Sequence, residues 1–347
     1  MNNDGNISSF INKKINEVLN NKIKEVNIDD VEFPPELEHL YYDLGYEKLS
    51  PLKDRQFGEE LLEFSKVIIE NFDEENLVNF YNNIADIKTA KLDYDEINKL
   101  IKKTSTVIKG SYIVNDNLMV LGLDDYKNTI YHELFHLSSS CVKDDVTYSG
   151  FTQSTPKMLI GDGINEGYTQ LLTERYFGDK DIIRAYQYFV QIAGLLENIV
   201  DKDKMEVLYL NSNLYGLIDE LKQYAYYKDI MKFFVNTDFL FRHLNDTKIS
   251  NSKYRILNES LKEVSDFLIL AYSNKINKKY SFDYKNNGEI VLEDMNSFLR
   301  KVPAKMKTNN KIYDFGKLTN EMFEKIKNIL YEYYDESEEE IVYKKSL

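Results

Sequence analysis

Residues 126–140 read YKNTIYHELFHLSSS, with histidines at 132 and 136. On a helix, positions four apart lie about 40° from each other around the axis, one turn along. Two imidazoles can then face one ion. Glu133 is rotated about 100° from His132, so its carboxylate can reach a water on that ion without ligating it. The run just before, Ser111–Leu123 (SYIVNDNLMVLGL), is rich in β-formers and broken by Asn115-Asp116-Asn117. It predicts two short strands joined by a turn. Asp124-Asp125 offers an N-cap for a helix over about 126–139.

Two histidines leave a zinc ion short of ligands, because a catalytic site uses three protein ligands and keeps one position for water. The best third ligand is Glu166, in the run GINEGYT (163–169), 30 positions after His136. It falls just inside a helix predicted over 163–176, with Asp162 as its cap. No histidine occurs in 137–146, which rules out a third histidine at short spacing. Two other readings stand beside this one. In the first, His132 and His136 are ordinary polar residues of a buried helix. In the second, Asp162 or Cys141 closes a structural zinc site as a fourth ligand, and Glu133 has no role.

Farther out, the chain has 347 residues, four histidines, one cysteine and 14 glycines. Seven of those glycines lie between positions 110 and 178, so tight turns concentrate around the motif. A single cysteine excludes an internal disulfide and a Cys-rich zinc finger. The net charge of −14 argues against nucleic acid or an anionic membrane as a partner. The longest uncharged stretches, 185–196 and 207–218, have 12 residues each, short of the roughly 20 a membrane span needs. The start lacks an apolar segment of the secretory kind, so the chain reads as cytoplasmic, with leaderless export left open.

Helical patterns are expected over 59–72, 75–87 and from an Asp93-x-x-Glu96 capping box. A short strand is expected over 146–151. Beyond Asp179 the pattern is helical again, through 267–272 and a final helix over 318–334, before an acidic tail. Pro34-Pro35 sets off an Asn- and Lys-rich arm. The organisation expected is a helical region (1–105), a catalytic core (106–180) and a C-terminal helical domain (181–347). The fold class is α+β, mostly α-helical, with a small antiparallel sheet in the core.

HELFH followed by INEGYTQLLTERYF resembles the gluzincins, zincin-fold metallopeptidases whose third zinc ligand is a glutamate on a second helix. The N-E-G run is similar to that of the aminopeptidase N family, and its longer N-E-G-Y-T-x-x-L-T form to that of bacterial zincin-like proteins. The resemblance covers about residues 110–178. It implies a zincin-like fold core, Zn2+ held by His132, His136 and Glu166, and Glu133 as general base in peptide-bond hydrolysis. It also implies that a strand within 111–123 forms the edge to which a peptide substrate adds. Two departures matter. The G-x-M-E-N motif of the aminopeptidases is missing from 100–125, so that specificity is not implied. Thermolysin-like enzymes carry an aspartate four residues after the third ligand, where this chain has Gln170; Gln170 or Glu174 must then support the histidine.

For the oxyanion donor of such a reaction, Tyr148 and His243 are candidates, although His243 also reads as a core-edge histidine; His39, beside Glu38 and Tyr41, is not read as part of the site. Cys141 reads as a small buried hydrophobe. The aromatic runs at 224–227, 233–234 and 331–334 read as helix packing. The competing functions are a non-catalytic zinc-binding helical scaffold and a zinc hydrolase of a non-peptide amide. The substrate expected is a peptide or protein, and the sequence gives no oligomeric state.

Overall fold

The computed structural model describes residues 58–85, 87–92, 110–122, 126–155, 157–246, 248–280, 284–303, 305–308 and 311–314. His39, Pro34-Pro35, the capping box at Asp93, the Asp124-Asp125 cap, the 318–334 helix, the 331–334 aromatics and the acidic tail lie outside them. The protein is α+β and mostly helical, with small sheets. Two compact units form, one from Met1–Val190 with Lys202–Leu217, the other from Gln191–Asp201 with Ile218–Leu347. Among the described residues, no helix is long and apolar enough to cross a membrane.

In the first unit, α1 (Gly58–Asn71) and α2 (Val78–Ala85) precede β1 (Lys88–Leu92). β2 (Gly110–Ile113) and β3 (Leu118–Gly122) follow, joined by a 3-10 turn, with Asn117 in the left-handed region at φ 45°. The two strands match the sequence expectation. β1 was not anticipated. It pairs parallel with β3 while β2 pairs antiparallel, so the sheet is mixed, in the order β1-β3-β2. The segment KTAKL has little intrinsic strand signal. Pairing with β3 decides its conformation, as is common where packing outweighs propensity.

α3 (Tyr126–Ser138) carries the two-histidine motif. A four-stranded antiparallel meander follows: β4 (Ser140–Lys143), β5 (Val146–Ser149), β6 (Thr152–Thr155) and β7 (Met158–Ile160). Only the second of these strands was expected. The β4–β5 turn is Asp144-Asp145, both with positive φ, at 51° and 60°, the backbone of a two-residue type I′ hairpin. Cys141 sits half-buried on β4 opposite Tyr148, not in the core as expected, because a strand at a sheet edge gives it only one covered side.

α4 (Asp162–Phe177) carries Glu166. Its cap is Gly161, not Asp162, which is the first helical residue. Gly161 has φ 87°, and a Cβ there would run into the Phe151 carbonyl, so only glycine fits. The core beneath is aromatic. Phe64 contacts Phe80, Phe135 and Phe177 at centroid distances of 6.2, 5.0 and 5.6 Å. Phe151, Tyr168 and Tyr209 form a second cluster at 5.2–5.6 Å. α5 (Gln187–Val200), α6 (Lys202–Leu210) and α7 (Leu214–Leu221) continue the chain.

The second unit rests on α8 (Tyr227–His243) and α9 (Asn251–Lys279). Leu257, Leu261, Val264 and Leu268 are fully buried at 4-3-4 spacing, the apolar stripe of a helix packed on one side. Phe233 stacks on Phe267 at 4.4 Å. Ser250 caps α9 by accepting the Lys253 N–H. α10 (Tyr284–Lys301) follows, with Phe298 stacked on Tyr272 at 3.9 Å, and then a hairpin of β8 (Lys305–Thr308) and β9 (Lys311–Asp314). Phe233 and Phe234 pack as expected, but Tyr226 and Tyr227 are 84% and 55% exposed. They start α8 and project from its first turn rather than joining the core.

Candidate metal centre

α3 is buried almost all round from Ile130 to Ser138, which forces its polar residues to find partners. Its last carbonyls are satisfied locally. Ser139 Oγ donates to Phe135 O at 2.9 Å, Ser140 Oγ to His136 O at 2.5 Å, and Asn83 Nδ2 to Leu137 O at 2.7 Å. The serine run after the motif thus closes the helix end. On the flank of α3, the Tyr131 hydroxyl donates to Glu63, which pairs with Lys180 at 2.6 Å.

His132, His136 and Glu166 come together, with one ligand atom from each lying within 4.8 Å of the others. The two Nε2 atoms are 3.1 Å apart. Glu166 Oε2 is 3.3 Å from His132 Nε2, and Oε1 is 3.5 Å from His136 Nε2. Donors at zinc's usual 2.0–2.1 Å, placed at tetrahedral corners, are separated by about 3.3–3.4 Å. The separations are of that order, although Glu166 meets the two rings through different oxygens, so the three side chains are close enough to share one ion. The side chains are 11%, 10% and 20% exposed. Burial alone would raise the Glu166 pKa, but His136 and His132, by charge and hydrogen bond, hold it well below the usual carboxylate range. Among the described residues, neither Asp162 nor Cys141 joins the group, so no fourth protein ligand closes it.

The supports of the two histidines differ. Gln170 Nε2 donates to Ile183 O at 2.8 Å and to Glu174 Oε1 at 3.0 Å. Both are acceptors, so the amide orientation is fixed and Oε1 faces His132 Nδ1 at 3.1 Å. An amide oxygen only accepts. His132 Nδ1–H therefore donates to Gln170, and Nε2 is the ring nitrogen turned toward Glu166 and His136. At His136, Asn165 Oδ1 accepts the Phe151 N–H at 3.0 Å, leaving Nδ2 3.4 Å from His136 Nδ1. That orientation sets an amide donor, not an acceptor, against His136 Nδ1, so His136 lacks the kind of support that Gln170 gives His132. Asn165 was not singled out from the sequence, although it sits inside the N-E-G run.

Glu133 is 7% exposed on α3. A Cβ added at Gly110 would lie 3.2 Å from Glu133 Cγ and 3.3 Å from its Oε1. The start of β2 therefore passes directly over this carboxylate, and a side chain at position 110 would crowd it. β2 is also an edge of its sheet among the described residues.

Of the aromatic candidates, Tyr148 lies on β5 opposite Cys141 and Gln153. His243 ends α8 in the second unit, where Nδ1 meets Asp246 Oδ2 at 3.2 Å; it is not part of the ligand group. The ring beside the histidines is Tyr186, 5.9 Å from the His132 ring between centroids. Its backbone is left-handed at φ 56°, and its carbonyl accepts the N–H groups of Phe189 and Val190 at the start of α5. Desolvation of the hydroxyl and the carboxylates of Glu166, Glu133 and Asp162 push the phenol pKa above its ordinary value, while the residue as a whole is 37% exposed. No sequence signal marks Tyr186, because a strained turn between two helices leaves no periodic trace. Comparisons with protein-family profiles, curated proteins and solved structures gave no match.

Proposed function

We propose that this protein is a zinc-dependent peptidase with a zincin-like core. The observation that carries the reading is the convergence of His132, His136 and Glu166, one ligand atom of each within 4.8 Å of the others, with no fourth His, Cys, Asp or Glu in the group among the described residues. Those three residues would hold the ion. Bound there, zinc supplies Lewis acidity toward a water and a carbonyl oxygen. Glu133 is the base, its carboxylate accepting the proton of the attacking water and passing it to the leaving amine nitrogen. The main chain of β2 offers an extended peptide a strand to pair with, and its start over Glu133 would bring the scissile bond to that carboxylate. Tyr186, whose ring lies beside His132, would be the phenol that donates to the developing oxyanion.

The closed structural site loses support, because Asp162 and Cys141 both stand outside the group. The test is direct. The full chain should bind about one equivalent of zinc and digest a peptide library in a chelator-sensitive way. Glu166→Ala should lose most of the metal and all of the digestion. Full zinc retention in that variant removes Glu166 from the site, and a digest untouched by chelator removes the peptidase assignment.

A further inference from the structure

The residue that orients His132 also grips a second part of the protein. Gln170 is 2% exposed. Its Oε1 accepts from His132 Nδ1, and its Nε2 donates to Ile183 O and Glu174 Oε1. Glu174 Oε1 in turn accepts from Gln187 Nε2 at 2.8 Å, and Ile183 N–H donates to Asn128 O of α3 at 2.9 Å. The segment 179–187 is thus pinned at residue 183 and at residue 187, both through atoms that Gln170 touches or shares. Between those pins stands Tyr186, whose left-handed backbone is disfavoured for a residue with a Cβ and persists only while its flanks are held.

We infer that Gln170 is a positioning residue that couples ion binding at His132 to the docking of segment 179–187, and with it the placement of Tyr186. This rests on the metal reading above. An ion on His132 Nε2 draws electron density from the ring and makes Nδ1–H a stronger donor. The Gln170 amide is polarised in turn, and its Nε2–H groups bond more tightly to Ile183 O and Glu174, since linked hydrogen bonds reinforce one another. Coupling is reciprocal, so a docked segment also favours the ion. The aspartate that the family resemblance would put at this position accepts a proton but donates none. It could orient the histidine yet leave Ile183 O unmatched. The glutamine therefore adds a function that a carboxylate cannot supply.

Hydrogen exchange read by mass spectrometry on the full chain, with and without zinc, tests this. In the wild type, one equivalent of zinc should slow exchange across 179–187 by about fivefold or more. Gln170→Glu keeps an acceptor for His132 but sets a carboxylate against Ile183 O and Glu174. It should bind zinc within about tenfold of wild type, with no zinc-dependent slowing in the segment. Gln170→Met removes both contacts, should bind zinc about 10–100-fold more weakly, and at saturation should also show no slowing. It serves as the deciding variant should Gln170→Glu fail to fold. Slowing that survives in either variant overturns the coupling, as does zinc uptake by wild type with no slowing at all. Wild type that takes up no zinc instead overturns the metal reading itself.

Discussion

The helix pair α3 and α4 and the helix pair α8 and α9 solve the same packing problem with different residues. α8 and α9 bury Phe233, Phe234, Leu257, Leu261 and Leu268 along apolar stripes. α3 and α4 bury Glu133, His136, Asn165, Thr169, Gln170 and Thr173 among their apolar residues. Hydrophobic burial stabilises the first pair directly. In the second, every buried polar group costs free energy until it is matched. Thr169 and Thr173 are matched by carbonyls of their own helix, Asn165 O and Thr169 O, both at 2.8 Å. His136 and Glu166 are matched across the two helices instead, each by the other and by His132. Such polar groups add little to the fold, and the proposed function is what would give them a use.

Substitutions can break that contrast. The largest effect is expected at Glu133. Glu133→Gln keeps the shape and the ligands, so zinc content should stay at about one equivalent while turnover falls by about 10²–10⁴. Unchanged turnover returns Glu133 to the status of a tolerated buried carboxylate. Next comes Leu268→Ala on α9, which leaves a cavity in a fully buried stripe. Chemical denaturation should show a loss of about 2–5 kcal/mol, with zinc stoichiometry untouched. A loss of zinc would mean the two helix pairs do not divide their tasks as described.

The smallest effect concerns Glu63, on the flank of the histidine helix. Burial pushes its pKa up, but Lys180 and Tyr131 pull harder, and the net value lies below 4.5. A depressed folded pKa stabilises fully above the unfolded value, and the gain fades as pH falls through the folded one. Both partners of the pair are about 40% exposed, so Glu63→Gln should cost under about 1 kcal/mol at neutral pH. Thermal melts taken as pH falls below the ordinary carboxylate range should show the difference shrinking. A gap that widens in acid contradicts this sign.

Much of the site is written in local spacing. A four-residue interval sets the two histidines on one helical face, and the strands on either side of Asn115-Asp116-Asn117 follow from residue type. The parts that stay hidden depend on partners far along the chain. KTAKL becomes a strand because β3 is beside it. The hydroxyl-rich strands SCVK and TQST lack alternating hydrophobicity, and their meander is held by two-residue turns. Gly161 displaces Asp162 as the cap because the Phe151 carbonyl crosses there. Gln170 comes into view only through the resemblance drawn from the motifs, and its contacts to Ile183 and Glu174 need the fold in place. Tyr186 owes its position to an unfavourable backbone angle, which residue identity does not encode.

The meander between the two ligand-bearing helices has a consequence for assembly. His136 and Glu166 are 30 positions apart, yet no single long closure is needed to join them. Each hairpin zips a few neighbouring residues, so the entropic toll of closing that span is met in small instalments rather than at once. Short-range pairings of this kind form quickly. The ligand pocket is thereby placed among the parts of the molecule able to gather early, before contacts between remote segments have been made.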